Sequence, residues 1–273
     1  MPFGLQDRVL KVLRQSAMHN ENGINKEHND SATVCLLSGL SPEDLQFLLS
    51  HSHTADYRAQ QEIVAQGDPV KFLYLILQGQ VKTMRFDKDG KEATIRLLHA
   101  GETFMDAVIF MGSASPISAQ ALDEACLLQI PANIVRRHVL KDPQFAANML
   151  RIITAHYKSA MQQIDLIVSK TPVERLGYYL LKLHLEQGVD KLQFDLPFQK
   201  AVIANQLGMT PETFSRALAQ IKRMGINVDQ KHITLKDTYA LCYFCDWETA
   251  TVCGRNTSAD CPNADDCFKA GHC

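Results

Sequence analysis

Close to Pro131 the apolar pattern of this chain changes from strand-like to helical, and that change divides the molecule. Upstream, residues 55–130 carry short strand-like runs broken by turns. Leu73-Tyr74-Leu75-Ile76-Leu77 ends at Gln78-Gly79-Gln80, Val81 to Phe86 alternates, and Ala93 to Leu98 returns. Asp87-Lys88-Asp89-Gly90-Lys91 lies between the last two and reads as a hairpin turn, because Asp and Gly tolerate positive φ. Such a series predicts a sandwich or barrel-like roll. Downstream, Phe145, Met149, Ile152, Ile153, His156, Ala160, Ile164 and Ile167 recur three or four residues apart. The stripe predicts a helix of roughly 27 residues, long for a domain and suited to a two-chain coiled coil. Packing of the same stripe on the strand-rich domain is the alternative.

Helix starts are marked by capping residues. Ser41-Pro42-Glu43-Asp44 places a cap, a first-turn proline and two acids ahead of Leu45, Leu48 and Leu49. Thr171-Pro172-Val173-Glu174 is a capping box, with a helix running towards Gly188. Leu5, Val9, Leu10 and Leu13 predict a short amphipathic helix, and the polar stretch 16–33 a connector.

The net charge of −2 supplies no global field for nucleic acid or membrane. The longest apolar run, Phe72 to Leu77, is far short of the ~18 residues of a spanning helix. The first residues lack the order of a signal peptide, so a cytoplasmic protein is expected. No Gly-rich nucleotide loop or nucleophile motif points to an enzyme.

Lys200 to Leu218 holds two helical patterns around Leu207-Gly208, the spacing of a helix-turn-helix. Thr210 caps the second helix and Pro211 starts it. Phe214, Leu218 and Ile221 form its buried stripe, and Glu212, Ser215 and Arg216 face the other way. Arg216 is suited to guanine O6 and N7, Glu212 to cytosine N4, and Ser215 to a base or phosphate. A hairpin from Gly225 to Leu235 adds a wing. Ten basic against seven acidic residues between Lys170 and Ala240 give this segment the sign that phosphates require.

This order, together with Leu75-Ile76-Leu77-Gln78-Gly79-Gln80-Val81, Gly101-Glu102 and the Glu212-x-x-Ser215-Arg216 pattern, resembles the FNR-like branch of the CRP/FNR superfamily of bacterial transcription regulators. The resemblance covers roughly residues 40–240. It implies an α+β fold with an antiparallel β-roll at 35–140, a dimerisation helix at 141–168 and a winged helix-turn-helix at 169–240, flanked by an N-terminal segment 1–34 and a tail 241–273. It also implies a homodimer that reads double-stranded TTGAT-type palindromes, with RNA polymerase as a further partner.

In cyclic-nucleotide-binding relatives a Glu holds the ribose and an Arg the cyclic phosphate. Here those positions fall on Asp106 and near Pro116, and no Lys or Arg occurs from Leu97 to Val135. Cyclic AMP is therefore not expected. The cassette is either a packed remnant or the seat of another ligand such as haem. Axial candidates are His51, His53, His99, His138, His156 and His184.

Six of the eight cysteines lie in the last 32 residues: Cys242, Cys245, Cys253, Cys261, Cys267 and Cys273. Cys35 and Cys126 stand alone. In a reducing compartment such a cluster predicts a metal or redox site. Cys242-x2-Cys245 has metal-clip spacing, and His272 offers a further ligand. Six thiols exceed the four needed by one zinc or one [4Fe-4S] cluster. The tail's few apolar residues, Leu241, Tyr243, Phe244, Trp247 and Phe268, predict a segment that holds no shape without a cross-link. The resemblance implies an iron–sulfur cluster sensing redox state, oxygen or nitric oxide, since some relatives carry one in a C-terminal extension. A structural zinc is one alternative, and oxidised cysteines with no signalling role are another.

Overall fold

The computed structural model describes residues 9, 36–188, 190–246, 249, 250 and 253. The chain forms two units, divided between Ser159 and Ala160. Of the expected first helix only Val9 is described, helical and buried.

The first unit is a roll of two four-stranded antiparallel sheets. One has the order β1 (His53–Tyr57), β8 (Ala125–Pro131), β3 (Phe72–Gln78), β6 (Thr103–Phe104). The other has the order β2 (Glu62–Val64), β7 (Ser118–Ala121), β4 (Val81–Phe86), β5 (Glu92–Leu98). The expected hairpin joins β4 to β5, pairing Phe86 with Glu92. Strands β3 and β8 do not alternate: five successive residues of β3 and six of β8 are buried. A continuous apolar run suits a strand covered on both faces. The core formed by Leu73, Leu75, Ile76, Leu127, Leu128 and Ile130 also takes in Leu48 of helix α1 (Pro42–Ser50). Ile109 of α2 (Val108–Met111) and Ile134 and Val135 of α3 (Ala132–Val139) join it.

The long helix is α4 (Pro143–Ser169), and its apolar residues serve two surfaces. Phe145, Met149 and Ile152 are buried in the core of the roll. The sequence stripe that begins with them is therefore not a single dimer seam. Leu150, Tyr157, Met161, Ile164 and Val168 are exposed instead. Their spacings of seven, four, three and four residues follow a heptad seam on another face. Both faces show a 3–4 rhythm, so periodicity alone merged them.

The second unit contains α5 (Pro172–Gln187), α6 (Lys200–Gln206) and α7 (Pro211–Arg223). A three-stranded sheet has the order β10 (Ile226–Asp229), β11 (His232–Leu235), β9 (Gln193–Asp195). The capping box is present: Glu174 N–H donates to the Thr171 hydroxyl while the Glu174 carboxylate accepts from Thr171. A short 3-10 turn, Cys242–Phe244, follows the sheet. At the start of the tail, Leu241 and Phe244 are buried; most of the segment expected to need a cross-link lies outside the described residues. Phe244 lies against Gly177 of α5, where a Cβ would stand 2.3 Å from its ring.

Alanine at a helix-interior glycine ordinarily stabilises by about 1 kcal/mol. At Gly177 the clash outweighs that gain, because a ring wedged on backbone has to move and overpacking costs about 1–3 kcal/mol. Gly177→Ala is therefore expected to lower Tm in a thermal melt; an increase would show that Phe244 does not occupy this notch.

Candidate nucleic-acid interface and cysteine turn

The helix-turn-helix is built by local rules. Helix α6 ends at Leu207, and Gly208 takes φ +65°, a left-handed conformation that side chains disfavour. Thr210 caps α7, accepting from Thr213 N–H at 3.3 Å, with Pro211 in the first turn. Phe214, Ala217 and Ile221 are buried, Leu218 is half-buried, and Glu212, Ser215 and Arg216 are exposed. The two faces thus part as the spacing predicted. The backbone N–H of Glu212 and the Thr210 hydroxyl hold the Glu212 carboxyl below its ordinary range. Its carboxylate is thus ready to accept a hydrogen bond at neutral pH. Arg216 Nε lies 3.4 Å from Glu212 O, one turn back on the same exposed face. The wing turn between β10 and β11 exposes Gln230 and Lys231, a cation that the sequence reading did not single out.

Arg175 is a second residue that sequence reasoning missed. Its guanidinium donates to Ile167 O at 2.7 Å, Lys170 O at 3.0 Å and Leu207 O at 3.2 Å. Carbonyls at helix ends lack intrahelical donors, and one cation here satisfies those at the ends of both α4 and α6. Gln163 of α4 also donates to Gln206 O. No local pattern announces Arg175, because its three acceptors are backbone atoms brought together by the fold.

The cysteines divide into two groups. Cys242 and Cys245 lie on or beside the 3-10 turn, and both are half-buried, as is Cys253. Cys245 N–H donates to Cys242 O at 3.1 Å, closing the turn. Thr249 Oγ1 donates to Asp246 Oδ1 at 2.6 Å and lies 3.5 Å from Cys245 Sγ. Cys242, Cys245 and Cys253 do not converge as a three-ligand set. Cys35, Cys261, Cys267, His272 and Cys273 lie outside the described residues.

In the first unit, Asp106 of the cassette is buried and engaged. His156 Nδ1, from α4, donates to Asp106 Oδ1 at 3.2 Å, and Thr103 Oγ1 donates to Oδ2 at 3.0 Å. Arg96 Nη2 donates to His156 Nε2 at 2.7 Å and lies 3.7 Å from the Glu102 carboxylate. Burial alone would raise the Asp106 carboxyl; His156, Arg96 and Thr103 outweigh it and hold the pKa down. The cassette therefore does have a cation, which stands one residue before the window that the sequence shows to be free of Lys and Arg. Arg136, one residue after that window, donates to Ile109 O at 2.6 Å. Of the other histidines, His138 and His184 are buried, and His51 Nδ1 lies 2.8 Å from Phe47 O. No helix among the described residues is long and apolar enough to cross a membrane.

Comparison with known proteins agrees with both units. The family model for the cyclic nucleotide-binding domain matches residues 54–142, and that for the Crp-like helix-turn-helix domain matches residues 174–244. The chain is 31% identical over 186 residues to the anaerobic regulatory protein of Pasteurella multocida, covering 66% of this chain and 67% of that one. It is 30% identical over 187 residues to the fumarate and nitrate reduction regulatory protein of Escherichia coli, covering 66% and 74%. The solved structure of FixK2 from Bradyrhizobium japonicum matches with a TM-score of 0.63 at 21% identity, covering 71% of this chain and 98% of that one, a likeness of fold. These relatives are regulators rather than enzymes. The chain belongs to the CRP/FNR family of transcription regulators, whose helix-turn-helix binds DNA.

Proposed function

We propose that this regulator acts as a homodimer on TTGAT-type palindromes and that redox state, oxygen or nitric oxide sets its DNA affinity through an iron–sulfur cluster in the tail. The observation that carries this reading is the seating of the Cys242–Phe244 turn on the helix-turn-helix unit by Leu241 and Phe244. The donor set fits a thiolate-ligated group: Cys242 and Cys245 sit with two residues between them on a closed turn, the spacing of a thiolate clip. These two would hold it, completed by thiols further along the tail. A bound [4Fe-4S] cluster supplies reactivity towards oxygen and nitric oxide. The protein's own part is positional, because a shift of the turn moves Phe244 against Gly177 of α5 and so biases the packing beneath α7.

The exposed Leu150, Tyr157, Met161, Ile164 and Val168 seam supports dimerisation through a second copy of α4. Two copies present two α7 helices, which matches a palindrome. Glu212, Ser215 and Arg216 would read base edges while Lys231 meets phosphate. RNA polymerase is the further partner that this role requires. The engagement of Asp106 by His156 and Thr103 leaves that carboxylate committed within the protein, which supports a signal other than cyclic AMP.

Arg216→Ala is expected to weaken binding to a TTGAT-type palindrome at fixed salt by at least tenfold. A lost bidentate guanine contact costs about 1–3 kcal/mol and a dimer loses two. Unchanged affinity in a folded variant would remove α7 from the reading role.

Protein purified without oxygen is expected to be brown, to contain iron and sulfide in equal amounts and to bleach in air. The Cys242→Ser, Cys245→Ser double variant is expected to be colourless. A colourless wild type with stoichiometric zinc, or a sharp Soret band from haem, would contradict the cluster.

A further inference from the structure

Three side chains of the first unit, from separate elements, converge on one point. Asp44 stands in the first turn of α1, His138 in the last turn of α3, and Asp142 at the joint where α3 ends and α4 begins. One ligand atom from each lies within 4.8 Å of the others. His138 is only 2% exposed, and its Nε2 has no hydrogen-bond partner. Asp142 Oδ2 is likewise buried and without one. A buried polar atom left unsatisfied is costly, so two of them facing each other need a physical reason.

The surroundings aim these atoms rather than leaving them loose. Phe47 stacks on the His138 ring at 5.6 Å, and Phe145 meets it edge-on at 5.0 Å, so the imidazole cannot turn to solvent. Asp142 Oδ1 accepts from Gln144 N–H at 2.8 Å, and Asp44 Oδ2 accepts from the Ser41 hydroxyl. Each carboxylate is therefore fixed through one oxygen and points the other at Nε2, as the outer hydrogen bonds of metal ligands do.

Distance separates a metal from a proton as the missing partner. Nε2 is 3.7 Å from Asp44 Oδ1 and 3.6 Å from Asp142 Oδ2. Both are too long for hydrogen bonds, and their near equality means that the nitrogen is aimed between the carboxylates. Bonds of about 2.0–2.2 Å to one tetrahedral ion place neighbouring ligand atoms about 3.3–3.6 Å apart, so a shift of about 0.1 Å brings these atoms to ligand spacing. We propose that Asp44, His138 and Asp142 form a binding site for a divalent first-row transition-metal ion that fastens the head of helix α4 to α1 and α3. One imidazole and two carboxylates suit the Mn2+, Fe2+ and Zn2+ class. Asp44, part-exposed at the rim, gives the ion its way in.

Mn2+ is the probe, because oxygen and nitrogen donors hold it in preference to the tail's thiolates. Full-length protein is titrated while free Mn2+ is followed by electron paramagnetic resonance, and Tm is measured alongside. The wild type should bind one Mn2+ per chain and melt higher as Mn2+ is added, by mass action. Asp44→Asn, at the rim, should bind at least tenfold more weakly, and His138→Gln should do the same. The Cys242→Ser, Cys245→Ser variant should bind as the wild type does. Absence of binding by the wild type, or equal binding by wild type and folded Asp44→Asn, would overturn the site; so would loss of binding in the cysteine variant alone.

Discussion

A single guanidinium holds the reading head to the end of the long helix. Arg175 satisfies carbonyls from Ile167, Lys170 and Leu207, one at the end of α4, one in the connection to α5 and one at the turn between α6 and α7. Without it three polar atoms near helix ends would compete for water, and the turn that aims α7 would keep only the Gln163 bond to Gln206 O as a hydrogen-bonded tie to α4. Charge-assisted hydrogen bonds to fixed backbone atoms are short and directional, so Arg175 sets position as well as stability. Around that tie the rest is arranged: a heptad seam on α4 for a second copy, and Glu212, Ser215 and Arg216 on the outer face of α7.

The cysteine turn enters this arrangement from the other side of α5. Phe244 packs against Gly177, two residues from Arg175, so the first pair of tail thiols adjoins the helix that carries the tie. The helix-turn-helix family model matches residues 174–244, a span that includes Cys242. The sensor proposed there would need no long pathway, because the turn packs on α5 itself.

Much of the fold was legible because local chemistry and global structure agree. The Asp87 to Lys91 turn, the Thr171 and Thr210 caps and the apolar stripe of α7 are each decided by neighbours in sequence. The features that escaped are decided by distant partners. Asp44 and His138 meet across 94 positions. The Arg96–His156–Asp106 chain joins a strand, the long helix and the cassette, so a window drawn along the sequence omits both cations that flank it. The two apolar faces of α4 share one rhythm, and only burial tells Phe145, Met149 and Ile152 from Tyr157, Met161 and Ile164. The tail's anchoring was missed because a glycine notch leaves no apolar signal in the sequence.

The most direct test of the account follows hydrogen exchange in α5 and in the Leu241 to Cys245 segment, together with DNA affinity, in one anaerobic preparation before and after exposure to air. The account predicts that loss of the brown colour is accompanied by faster exchange in both segments and by a change in affinity for the palindrome. Bleaching that leaves the exchange of α5 and the DNA affinity as they were would contradict it.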